Sequence, residues 1–138
     1  MLKILVADDN FVNRKLLMQL LRDKAACDAA ASGAETLEAY NLSLREGRPY
    51  DIILLDISMP DIGGLQVLRL VRESEARAGV SAGKGVAVIM VTAYQEPFAE
   101  AFNSGCDDYV LKPVEPRDLY AKIDKIAVSR AGSGKEKQ

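Results

Sequence analysis

The 138-residue chain contains no histidine and no tryptophan, two cysteines and five prolines. Without histidine there can be no serine or cysteine triad, no zinc–histidine site and no phosphohistidine carried by this chain. The two cysteines, Cys27 and Cys106, lie far apart and form no CxxC pair, so they read as free thiols in a reducing compartment. No charge of one sign dominates. Eighteen Lys+Arg stand against twenty Asp+Glu, a net charge of −2, which speaks against direct nucleic-acid binding and against a polybasic membrane anchor. No stretch approaches the roughly 18 apolar residues of a membrane span. The amino terminus lacks a signal-peptide layout, because charges interrupt its apolar run at once. The sequence therefore reads as a soluble, cytoplasmic protein.

What is present is enough to fold. Hydrophobic residues make up 49% of the chain, and its length suits one domain with a core of its own. Strand-like and helix-like segments alternate. The short apolar run Leu2 to Ala7 is followed by the polar stop Asp8-Asp9-Asn10. Apolar residues then recur at helical spacing at Val12, Leu16, Leu17, Leu20 and Leu21. Cys27 to Ala31 reads as a weak strand. Ala34, Leu37, Tyr40 and Leu44 form the stripe of a second helix. Asp51 to Asp56 and Val86 to Val91 are apolar on both faces, as buried parallel strands are. A helix follows each, about Leu65 to Arg77 and then one carrying Phe98, Ala101 and Phe102 that ends at Gly105. Tyr109 to Leu111 makes a fifth strand, and Leu119, Ile123 and Ile126 mark the last helix. Residues 1–129 are expected to form the domain, and the Gly/Ser/Lys/Glu-rich residues 130–138 a frayed tail.

Five βα units imply an α/β fold, a doubly wound open parallel sheet with helices on both faces. In such a sheet ligands bind beyond the carboxyl ends of the strands. Strand one delivers Asp8 and Asp9 to that edge, strand three Asp56, strand four Thr92 and strand five Lys112. Each has an ordinary reading alone: Asp8, Asp9 and Asn10 as helix caps, Asp56 as a turn residue, Thr92 as a strand end, Lys112 as a solvated cation. Their joint placement at successive strand ends is what those readings fail to explain. Three converging carboxylates repel one another unless a cation joins them. Oxygen ligands with open positions favour Mg²⁺. Lys112 adds a point charge suited to a phosphoryl group, Thr92 a hydroxyl, and one carboxylate is left to act as nucleophile.

With these residues placed, the chain resembles the receiver domain of two-component and phosphorelay response regulators. The likeness runs from about Leu2 to Val128. It is carried by ILVADDN at 4–10, LLDISMPDIGG at 54–64, VTAYQ at 91–95 and GCDDYVLKP at 105–113. The resemblance implies a single (βα)5 domain of flavodoxin-like strand order 2-1-3-4-5. It casts Asp56 as phospho-acceptor from the phosphohistidine of a sensor histidine kinase or histidine phosphotransfer protein. It casts Asp9, Asp56 and the Ser58 carbonyl as direct Mg²⁺ ligands, with Asp8 acting through water. Thr92 and Lys112 become the pair that contacts phosphoryl oxygens. Tyr109 becomes the switch aromatic of the helix 4–strand 5–helix 5 surface. Ser58 and Tyr94 occupy the positions that tune phosphate lifetime, and a bulky Tyr94 should lengthen it. Pro60, Gly64 and Pro113 shape the loops, and the Lys112-Pro113 step is one that is often cis. Gly63 stands where aspartate is common, and Cys106 where alanine is frequent, so Cys106 is expected to be buried.

The implied protein is a signalling switch rather than an enzyme. It would act on a downstream protein, bind neither nucleic acid nor membrane, and exist as a monomer or a phosphorylation-dependent homodimer. The expectation is either a stand-alone receiver, which Met1 and the fading tail mildly favour, or a domain of a longer regulator or hybrid kinase, whose receivers the DDNFVNR opening at 8–14 resembles. Two further readings are a phosphorylation-independent module of receiver shape and a Mg²⁺-dependent aspartyl phosphatase. The second lacks the DxD spacing after Asp56, where Ile57 and Ser58 follow.

Overall fold

In the computed structural model, which describes residues 1–93 and 98–136, strands and helices alternate from end to end. They are β1 (Leu2–Ala7), α1 (Phe11–Leu21), β2 (Ala25–Ala30), α2 (Gly33–Arg45), β3 (Ile52–Asp56), α3 (Gly64–Arg77), β4 (Ala87–Thr92), α4 (Phe98–Asn103), β5 (Asp108–Leu111) and α5 (Pro116–Glu136). All strand pairs are parallel, and the sheet order is β2-β1-β3-β4-β5. The chain thus reverses direction across the sheet between β1 and β3. That opens a crevice at their carboxyl ends.

The strand sequences explain the layering. Every residue of β3 and β4 is buried, because both faces of these central strands are covered. Alternate side chains go to opposite layers. Leu5, Ile53, Leu55, Val88 and Met90 pack with α2 and α3 residues such as Tyr40, Val67 and Leu68. Ile4, Val6, Ile52, Leu54 and Ile89 pack with Leu17 and Leu21 of α1 and with Leu119 and Ile123 of α5. Side-chain oxygens start the first two helices. Asn10 accepts from the Asn13 N–H at 3.0 Å, and Ser32 from the Glu35 N–H at 3.1 Å.

Three local expectations are revised. β2 begins two residues earlier than its apolar content suggests, because it pairs with β1 along its whole length from Leu2↔Ala25 to Ala7↔Ala30. The apolar stripe of α1 is divided. Leu17 and Leu21 are buried, but Val12 and Leu16 face outward, as does Phe11. α5 continues to Glu136, past the boundary drawn near residue 129. Arg130 ties this turn to the body by donating from Nη2 to the Gly85 carbonyl at 2.8 Å, a contact 45 residues distant in sequence.

Candidate functional site

Each strand of the central group ends in a residue that the crevice collects. Asp8 follows β1 and is buried, whereas Asp9 beside it is exposed. Asp56 and Thr92 are the last residues of β3 and β4, and both are buried. Lys112 follows β5, and its N–H donates to the Thr92 carbonyl at 2.8 Å, which fixes the β4 and β5 ends against each other. The Lys112-Pro113 peptide is cis.

Lys112 reaches back over the sheet edge. Its Nζ lies 3.3 Å from Asp8 Oδ2 and 3.3 Å from Asp56 Oδ2. The other oxygens of these carboxylates are held by backbone. Asp8 Oδ1 accepts from the Asn10 N–H at 2.9 Å, and Asp56 Oδ1 from the Ser58 N–H at 3.1 Å. Arg14 donates to the Asp8 carbonyl at 2.8 Å, tying α1 to the end of β1. Burial pushes the Asp56 carboxyl up to about 6. The negative charge of Asp8 acts in the same direction, while the Ser58 N–H and Lys112 pull it back. The site is therefore held together by one cation shared between two buried acids.

The loop after β3 is positioned by close contacts. A Cβ on Gly64 would lie 2.2 Å from the Asp56 carbonyl oxygen, so α3 can start against the strand end only with glycine at this position. The Gly64 N–H donates to the Ile57 carbonyl at 2.8 Å. Pro60 and Ser58 are exposed, and Met59 turns into the core. Asp61, which the sequence reading passed over, accepts from the Gly33 and Ala34 N–H groups, both at 2.9 Å. These bonds hold its carboxyl down at about 2 and pin the loop to the amino terminus of α2. The only sequence signal was an aspartate near a turn, with a partner 27 residues away.

Asp8, Asp9 and Asp56 each offer one carboxylate oxygen, and these oxygens lie within 4.8 Å of one another. Asp8 Oδ2 is buried and makes no hydrogen bond, a condition it shares among the described residues with Arg130 Nε. That oxygen has only the Lys112 ammonium beside it, and with the two neighbouring carboxylate oxygens it makes the hard donor set a small divalent cation takes. The residues present therefore fit the expected Mg²⁺. Tyr109 in β5 is half-buried at the sheet edge, and Cys106 is buried as expected. Burial pushes the thiols of both Cys27 and Cys106 up to about 11, so neither is a ready nucleophile. Tyr94 lies outside the described residues.

A doubly wound sheet with its ligand crevice at the β1/β3 reversal places the molecule in the flavodoxin-like class. The chain belongs to the response regulator receiver domain family, which it matches over residues 4–124. It is 36% identical over 137 residues to hybrid signal transduction histidine kinase L of Dictyostelium discoideum, covering 95% of this chain and 8% of that protein. It is 38% identical over 127 residues to the transcriptional regulatory protein ResD of Bacillus subtilis, covering 90% of this chain and 47% of that protein. It thus spans less than half of either relative. Among solved structures it resembles a chain in the co-crystal of the Saccharomyces cerevisiae histidine phosphotransfer signalling protein Ypd1 and the receiver domain of its downstream response regulator Ssk1. That match has a TM-score of 0.79 and 28% identity, and covers 94% of this chain and 91% of that one. The molecule is a receiver domain of the kind found in response-regulator signalling proteins. None of its described helices is long and apolar enough to cross a membrane.

Proposed function

We propose that this receiver takes a phosphoryl group onto Asp56 from the phosphohistidine of a sensor kinase or phosphotransfer protein, and relays the event to a protein target in the cytoplasm. The observation that carries the reading is Lys112 Nζ poised 3.3 Å from the buried Asp56 Oδ2, with the buried Asp8 and the exposed Asp9 carboxylates close by. Asp9, Asp56 and the Ser58 carbonyl would hold Mg²⁺, with Asp8 acting through water. When bound, the cation supplies positive charge against the carboxylates and the phosphoryl oxygens.

The protein's own groups do the rest. The Ser58 N–H fixes one Asp56 oxygen and so orients the carboxylate. A carboxylate oxygen attacks phosphorus as the P–N bond of the phosphoimidazole breaks, and the departing imidazole keeps that electron pair and takes up a proton. Lys112 moves from the carboxylate pair to the phosphoryl oxygens, offsetting charge that grows as the bond forms. The Thr92 hydroxyl follows, and Tyr109 shifts at the α4–β5–α5 face. That is a population shift driven by a local charge. Leu16 of α1 shares a cleft with Asp8 and Lys112, and Phe11 and Val12 of the same helix are exposed, so this helix suits an apolar partner helix. Tyr94 is read as shielding the acyl phosphate. Tyr94→Ala should shorten its lifetime, and an unchanged decay rate would remove that role.

The test is incubation with Mg²⁺ and acetyl phosphate, followed by intact mass. One added phosphoryl group on the wild type and none on Asp56→Asn is expected. An adduct on both, or on neither, would overturn the assignment. Light scattering of the phosphorylated sample then separates a monomer from a phosphorylation-dependent homodimer.

A further inference from the structure

β5 is the edge strand of the sheet, and its outer backbone groups need cover. At Tyr109 they have it. The Tyr109 N–H donates to Asp108 Oδ1 at 2.8 Å, and the Tyr109 carbonyl accepts from the Lys122 ammonium of α5. The same ammonium lies 3.3 Å from Asp118 Oδ2 and 3.9 Å from Asp108 Oδ1. It also sits 4.8 Å from the centroid of the Tyr109 ring. One charge thus holds the backbone of the residue and one position of its side chain.

These two grips differ in what can move. The backbone bond and the two carboxylates keep the ammonium in place wherever the ring points. The ring contact exists only while the ring stays at the sheet edge. We propose that Lys122 is a positioning residue that favours the half-buried placement of the Tyr109 ring beside α5, taken as the resting one, and so sets the threshold for switching. This rests on the reading of Tyr109 as the switch aromatic. A ring drawn inward leaves a half-buried cation, and a contact of this kind is worth enough to bias two states measurably. By linkage, whatever Lys122 adds to the resting state is subtracted from the affinity of any ligand that selects the switched state.

The experiment is titration of the Mg²⁺-loaded protein with beryllofluoride, which mimics a bound phosphoryl group without turnover. The wild type is compared with Lys122→Met, which keeps the stem and removes the charge, and with Lys122→Arg. The Tyr109 ring is followed by NMR in ¹³C-tyrosine protein, assigned with Tyr109→Phe. Lys122→Met is expected to bind roughly two- to thirty-fold more tightly. Its free Tyr109 signal should move toward the bound position. Lys122→Arg should stay near the wild type. Unchanged or weaker binding by Lys122→Met overturns the proposal. So does a lower melting temperature with unchanged affinity, the mark of a lysine that only covers the strand edge. Failure of the wild type to bind, or binding retained in Asp56→Asn, refutes the phospho-acceptor reading first and this proposal with it.

Discussion

At the amino-terminal end of β4 and β5, Arg72 of α3 gives its donors to four acceptors. It reaches the carbonyls of Gly105 and Val86 at 2.9 and 2.8 Å, Glu75 Oε1 at 2.7 Å and Asp107 Oδ2 at 3.0 Å. Both acids also accept from backbone. Glu75 takes the Val86 N–H at 2.7 Å, and Asp107 the Val88 N–H at 2.8 Å. At the carboxyl end of the same sheet, Lys112 stands between two buried acids, one oxygen of Asp8 has no hydrogen bond, and Asp9 adds a further charge. The first end is a closed network that locks α3 to the β4 and β5 starts. The second is left electrostatically incomplete, and incompleteness is what lets a pocket take up charge from outside.

The sharpest way to break the contrast is to remove each cation. Arg72→Met should cost about 3 kcal/mol in a denaturant titration, because it strands the nearly buried Glu75. Added Mg²⁺ should restore none of it. Lys112→Met should also destabilise the protein, but here Mg²⁺ should restore much of the loss, since a divalent cation can replace the lysine between the same carboxylates. Next in size, Gly64→Ala should cost about 2 kcal/mol by forcing a methyl group against the end of β3. It should also slow phosphorylation by acetyl phosphate.

A smaller effect comes from Asp56. Its folded carboxyl titrates near 6, above the ordinary carboxylate value, so the folded state holds that proton more tightly than the unfolded chain. This contribution favours folding at low pH and is lost as pH rises from about 4 through about 6. Mg²⁺ binds the ionised form. The rise in melting temperature on adding Mg²⁺ should therefore be larger at pH 7.5 than at pH 5, and an equal rise at both would remove this account. The smallest effect should follow Asp61→Ala, a slight fall in melting temperature with faster amide exchange at Ser58 and Ala34, because the exposed loop loses its tie to α2.

The incomplete end was legible in the sequence, and the closed end was not. Asp8, Asp56, Thr92 and Lys112 announce themselves because each polar residue terminates an apolar strand, so period and position alone place them together. Strand number and order followed from the same alternation and the family likeness. Arg72, Glu75 and Asp107 sit among other charges on a helix and a turn, and their pairings span up to 35 residues. Glu75 even lies on the buried side of α3, where the stripe predicts an apolar residue. Lys122 and Asp61 were hidden for the same reason. Helical spacing also left the inward side of α1 undecided, since Val12 and Leu16 fit the stripe as well as Leu17 and Leu21 do. Only packing against the sheet separates them.

β4 has a wider consequence. Val88 and Met90 enter one layer while Ala87, Ile89 and Val91 enter the other, and Thr92 stands at its tip. The strand is a beam shared by two rooms. Because the interior is densely packed, a fractional displacement at the tip cannot be absorbed on one side alone. Both helical layers register it at once, so one residue at a strand tip is mechanically joined to the two sides of the molecule.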